Sequence, residues 1–190
     1  MRRYRARLRL SCTPGFLLVC AVLIYLDGQG VVLWGVLACG VHELGHWAAA
    51  AALGGQVKCL RLTAVGAEMV LDAARPLSCG GELLCALAGP AASLLWALGA
   101  ARLGLFTAAG VSLGLGLFNL LPARALDGGR ALEYASMLWT RRTLQRPLEV
   151  LNAGTVGGLL GAGAAACLTW GNPTLLVTAL WLTAGTVKAA

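Results

Sequence analysis

Residues 31–53 read VVLWGVLACGVHELGHWAAAAAL, and this stretch decides how the chain is read. Its 23 residues are long and apolar enough to cross a bilayer as a helix. Yet His42, Glu43 and His46 stand near its middle, and they include both histidines of the protein. An unpaired ionisable group at that depth costs at least ~3 kcal/mol on insertion scales and marks a functional site by default. On a helix, positions i and i+4 lie about 40° apart around the axis and about 6 Å along it. Both imidazoles therefore address one point, with Glu43 on the flank of the same side, which suits a metal ion with a water beside a base. Cys39 falls on the same face three residues earlier, but its short side chain leans toward the helix N-terminus. It is expected to be a packed thiol near the site, not a ligand.

The rest of the chain agrees with a membrane setting. Of 190 residues, 58% are hydrophobic and 12% charged, against about 25% charged in a soluble domain, and the mean hydropathy is +0.77. Apolar segments run at about 15–26, 31–53, 79–101, 105–122, 149–170 and 173–189. The first is short, has five arginines ahead of it, and also resembles a cleavable signal peptide. Charge decides whether it crosses. If it does, 14 of the 15 Lys and Arg lie on the cytoplasmic side and only Arg102 outside; if it does not, the count is 6 inside against 9 outside. The positive-inside rule selects the first arrangement, six spans with both termini cytoplasmic, an orientation that signal cleavage would leave unchanged. The net charge of +7 is thus a matter of orientation, and no nucleic-acid partner is expected. Seven cysteines without a C-x-x-C pair do not make a disulfide framework.

Two connections carry more than loop character. Residues 54–77 contain extended runs at Val57 to Val65 and Ala67 to Leu71, hinged at Gly66, which predicts a hairpin. Residues 123–148 hold five arginines and predict a cytoplasmic segment with helix around Ala131 to Trp139. The expected fold is an all-α integral membrane protein of six transmembrane helices with a short re-entrant β-hairpin between helices 2 and 3. It forms a single domain over 1–190, with a catalytic core at about 16–130 and additional helices at about 149–189.

Two histidines leave a metal short of a ligand. The next intramembrane polar cluster is Asn119-Leu120-Leu121-Pro122, followed by Leu126-Asp127-Gly128-Gly129-Arg130. Asp127 is the natural third ligand, a hard anionic oxygen on a segment that Pro122 and two glycines force out of regular helix. The alternative is a helix-terminal Asp-Gly turn.

With HELGH at 42–46, Ala88-Gly89-Pro90 in the next span, and NLLP and LDGGR after it, the sequence resembles the site-2 proteases, intramembrane zinc metalloproteases. Within them it is most similar to the stage IV sporulation protein FB branch. The resemblance covers residues 16–130 and implies zinc ligands His42, His46 and Asp127, with Glu43 as general base. It places Asn119 near the substrate backbone or the developing oxyanion. Gly89 and Pro90 match the family's Gly-Pro element, read as close helix packing. The CBS and PDZ domains of many relatives have no counterpart in these 190 residues.

The implied protein is a zinc metalloendopeptidase of the bacterial cell membrane holding one Zn2+ per chain. It hydrolyses a peptide bond in or near a transmembrane segment of a membrane-protein substrate. The resemblance suggests a sigma-factor precursor, an anti-sigma factor or a remnant signal peptide, with regulatory membrane partners. Two competing classes remain. A transporter using the buried His/Asp cluster as an ion path should show repeated halves or paired broken helices, and the sequence has neither. A catalytically inactive, membrane-binding relative should lack a ligand or the glutamate, and none is missing.

Overall fold

The structure is a computed structural model that describes residues 9–63, 66–71, 76–141 and 144–188. Arg2, Arg3, Arg5, Arg7, Arg75 and Arg142, counted above, lie outside the described residues, as does the hairpin tip at 64–65. The elements in chain order are β1 (Arg9–Cys12), α1 (Pro14–Leu26), α2 (Val31–Ala52), β2 (Val57–Thr63), β3 (Gly66–Leu71), α3 (Cys79–Arg102), α4 (Phe106–Asn119), α5 (Asp127–Thr140), α6 (Gln145–Trp170) and α7 (Thr174–Lys188). The chain divides into two compact units, Met1–Leu117 and Phe118–Ala190.

In the first unit, the predicted hairpin is part of a larger sheet. β2 pairs antiparallel with β3, and β1 pairs parallel with β2 on its other side, from Arg9 opposite Cys59 to Cys12 opposite Leu62. The sheet therefore has three strands, and Arg9 belongs to a strand instead of a tail. Gly66 is not the hinge but a ladder position opposite Thr63. The backbone N–H of Thr13 extends the ladder by donating to the Leu62 carbonyl at 2.9 Å. Thr13 also caps α1, its hydroxyl accepting from the Phe16 N–H, with Pro14 in the first turn, where a missing N–H costs nothing.

Between α1 and α2 the chain turns through Gly30, whose φ of 71° needs a residue without Cβ. Asp27 ties the turn to α2 by accepting from the N–H groups of Val32 at 2.7 Å and Gln29 at 3.2 Å. These bonds, Val32's foremost, hold the Asp27 carboxyl below the usual carboxylate range.

α2 and α3 cross closely. A Cβ on Gly45 would lie 2.5 Å from the Ala88 carbonyl oxygen and 2.7 Å from Ala92 Cβ, so only glycine admits this approach. α3 continues through Pro90, as membrane helices often do. Ala100, Ala108 and Ala109 form a cluster with Trp34 and Ala101 packed against it.

In the second unit, α4's last residue, Asn119, precedes a turn in which the Leu121 and Ala123 N–H groups donate to Phe118 and Leu121. The helix thus ends at Asn119 and not at residue 122 as read from the apolar run. α5 starts at Asp127, earlier than the predicted Ala131, and α6 starts at Gln145, not 149. Pro147 sits in the first turn of α6, where proline is tolerated. α6 and α7 form a hairpin in which Gly163 meets the Leu176 backbone, a Cβ there lying 2.6 Å from its nitrogen. Ala123, Leu126, Val156 and Leu182 form the buried cluster of this unit.

The burial pattern inverts that of a soluble protein. Most buried apolar residues are alanines, among them Ala38, Ala50, Ala86, Ala97 and Ala100, while Leu18, Leu33, Leu44, Leu84, Leu95 and Leu168 are exposed. Water would drive the leucines inward. Lipid does not, and it favours small residues where helices meet. By length and composition α3 and α6 can each cross a membrane, while α1, α4 and α7 contain shorter apolar helices.

Candidate metal centre

The helical turn between positions 42 and 46 does what the spacing predicts. His42 and His46 are both buried, their Nε2 atoms lie 3.1 Å apart, and their rings meet edge to face with centroids 4.8 Å apart. Two nitrogens at about 2.05 Å from one tetrahedral zinc would be separated by about 3.3 Å, so the pair is pre-spaced for a shared ion.

The opposite ring edges are anchored on α3. His46 Nδ1 lies 2.7 Å from the Cys85 carbonyl oxygen. A carbonyl only accepts, so Nδ1 carries the hydrogen and Nε2 is left with its lone pair. The Cys85 thiol in turn donates to the His46 carbonyl at 3.5 Å, tying the two helices twice at one level. His42 Nδ1 lies 3.0 Å from Ser93 Oγ. Between these anchors sits Gly89, on which a Cβ would overlap His46 Nε2 and lie 2.6 Å from Cδ2 and Cε1. Sequence reasoning took Gly89 for a helix-packing residue. It is more: its bare Cα makes room for the ring of a candidate ligand.

Cys85 and Ser93 were missed. Cys85 entered only as one of seven cysteines that make no disulfide framework and Ser93 was not singled out, although Cys85, Gly89 and Ser93 recur every four residues on one face of α3. That small, weakly polar stripe facing an HExxH helix was the available signal. Cys39, by contrast, is exposed, which corrects its reading as a packed thiol, although the regular helix over Val31–Ala52 keeps it on the face of the imidazoles. Glu43 is half-buried.

Asp127 is buried and opens α5, in whose first turn a negative charge is favoured by the helix dipole. The preceding Leu126 supplies no side-chain cap. Gly128 and Gly129 lie so close to the carbonyls of Leu120 and Ala123 that any Cβ would collide with them. This close fit folds the 120–126 turn onto the head of α5 and fixes where Asp127 begins. Asn119 is half-buried at the last position of α4.

The family profile of Peptidase family M50 matches residues 99–160, a span that includes Asn119 and Asp127 but not the histidine pair. Among solved structures, the site-2 protease from Methanocaldococcus jannaschii has the same fold, with a TM-score of 0.69 at 22% sequence identity. The match covers 99% of this chain and 93% of that one. No curated protein matches the sequence. The family match supports a metalloendopeptidase, and the structural match shows the fold.

Proposed function

We propose that the chain is an intramembrane zinc protease of the site-2 type, and the observation that carries this is the His42–His46 pair. Its Nε2 atoms are spaced for one ion, and each ring is held from behind by α3. The pair leaves a metal short of a ligand, and Asp127 is the third donor that the sequence offers. Two imidazoles and a carboxylate are a common zinc combination that leaves a fourth position open. When bound, zinc supplies Lewis acidity, bringing the pKa of a water it holds toward about 7 and polarising a carbonyl. Glu43 takes the proton of the attacking water on its carboxylate and passes it to the departing amine, so no covalent intermediate with the protein is needed. Asn119 donates to the substrate backbone or to the oxyanion as it develops. Zinc content of the purified protein, together with cleavage of a membrane peptide, tests this reading. Protein that binds no zinc, or binds it and never cuts, removes it.

Six helices crossing the membrane with both termini in the cytoplasm follow from the charge count, which puts 14 of 15 basic residues there. The exposed leucines and buried alanines support a lipid surround. In a background without native cysteines, a cysteine at Arg141, just past α5, is expected to react with an impermeant maleimide only after the cells are opened. Labelling of intact cells would reverse the topology.

A transmembrane substrate must unwind locally, and its freed backbone groups need partners in place of lipid. Strand addition to the sheet provides them. Because β2 is flanked on both sides, prolines at Leu60 or Leu62 would break the sheet itself. The outer strands are β1 and β3, and we place the docking edge on β3, the hairpin's own. Along an antiparallel strand successive N–H groups alternate between the partner strand and the outside. Of Glu68→Pro and Met69→Pro, one therefore loses only an outward donor. That variant is expected to keep its thermal stability and zinc while cleavage falls, and wild-type cleavage by it would eliminate strand addition. For the substrate, the stage IV sporulation protein FB resemblance favours a sigma-factor precursor in an endospore-forming bacterium and an anti-sigma factor elsewhere.

A further inference from the structure

We infer that Ser93 is a positioning residue for the metal centre, holding His42 in the tautomer and ring orientation that present Nε2 to the ion. The inference rests on the zinc reading above and adds a residue to it. Ser93 is wholly buried, at 0% exposure, on a helix whose other buried residues are glycines, alanines, Cys85 and Pro90. A buried hydroxyl in such surroundings is costly unless it is hydrogen-bonded. Among the described residues the partner of Ser93 Oγ is His42 Nδ1, at 3.0 Å.

The two histidines are supported differently. His46 faces a backbone carbonyl, which accepts from its Nδ1 and which no side-chain substitution removes. His42 faces a hydroxyl, which both donates and accepts. For His42 Nε2 to offer a lone pair, the ring hydrogen must sit on Nδ1, so Ser93 must accept it. A hydrogen-bond acceptor behind a ligating imidazole fixes its tautomer and raises its basicity, and losing such a partner typically weakens metal binding ~10- to 100-fold. The structure also fixes how much room the position has. A Cβ on Gly116 would lie 3.1 Å from Ser93 Cβ, so α4 closes over this residue and leaves little space for a larger side chain.

That crowding separates a positioning role from a packing role. Ser93→Ala removes the acceptor and adds no bulk; Ser93→Thr keeps the acceptor and adds a methyl group. On purified full-length protein, zinc affinity is measured by chelator competition, the visible bands of the cobalt-loaded form report coordination geometry, and thermal unfolding of the chelated protein reports packing. Ser93→Ala is expected to bind zinc ~10- to 100-fold more weakly with altered cobalt bands and near-unchanged unfolding. Ser93→Thr is expected to keep the wild-type zinc affinity and bands, even where its melting point falls. Wild-type zinc affinity in Ser93→Ala, or equal weakening in both variants, overturns the assignment. Should Ser93→Ala not fold, Ser93→Cys, which replaces the hydroxyl by a poor acceptor, is expected to loosen zinc as well, and unchanged affinity there has the same force. The wild type is measured first. If it binds no zinc, the metal reading itself falls; if it binds zinc and Ser93→Ala binds it equally, only the role of Ser93 does.

Discussion

Glu43→Gln is expected to keep zinc near one per chain while turnover falls ~10²- to 10⁴-fold, the range for a lost general base. The substitution preserves side-chain size and leaves His42 and His46 on their α3 anchors. It removes only the ability to take a proton. Asp127→Ala makes the contrast, because it deletes a proposed ligand: zinc occupancy and activity should decline together. Zinc quantification and cleavage of a membrane peptide, made on the same preparations, separate the two roles. Wild-type cleavage by Glu43→Gln would end the hydrolase reading. Full zinc and full cleavage in Asp127→Ala would send the search for a third ligand elsewhere.

Gly89→Ala should be nearly as damaging for a different reason. The added methyl group falls on His46 Nε2, the atom intended for the metal, and the ring cannot simply step aside because Cys85 holds its other edge at 2.7 Å. Either the imidazole tilts off its carbonyl or α2 and α3 separate, and overpacking of this kind costs typically ~1–3 kcal/mol. Zinc affinity and activity are both expected to fall at least tenfold, with a lower melting temperature. Gly99→Ala is the control: it lies ten residues further along the same helix, where a Cβ meets nothing within 4 Å. If Gly89→Ala bound zinc and cut like the wild type, the close packing of Gly89 on His46 would have no functional weight.

What could be read from the sequence was what is local. The histidine spacing is a property of one helix, so HELGH already gave the direction of both imidazoles. The apolar runs gave the long helices to within a few residues, missing most at Gln145, where α6 opens on polar residues ahead of the apolar run, and at Asn119, where the turn before α5 is still apolar and hydropathy alone has no reason to stop. The rest depends on which helix meets which, and at what register. Ser93 and the Cys85 carbonyl matter only because α3 passes α2 at one height. Neither carries a charge or belongs to a motif that would have pointed there. β1 was invisible for a similar reason. Four residues, Arg9-Leu10-Ser11-Cys12, are too short for a periodic signal, they follow a run of arginines, and their partner strand begins 45 positions after they end. Asp127 was legible as a polar residue in a glycine-rich break, but its place at the head of a new helix was not, since Leu126 supplies no capping signal.

The parallel pairing of β1 with β2 also imposes a parity condition on the path between them. Cys12 and Leu62 are register partners in one small sheet, so the two strands lie on the same side of any bilayer. The chain from Thr13 to Gln56 must therefore cross it an even number of times. That stretch contains two helices, α1 and α2. If α2 passes through the membrane carrying its histidines, α1 must pass through as well, short as its 13 residues are. Under that condition the pairing of two strands asks for the same first span that the count of arginines proposes, through hydrogen bonds that involve no charge at all. The same condition ties the sheet to biosynthesis: β1 cannot find its partner until α2 has brought the chain back.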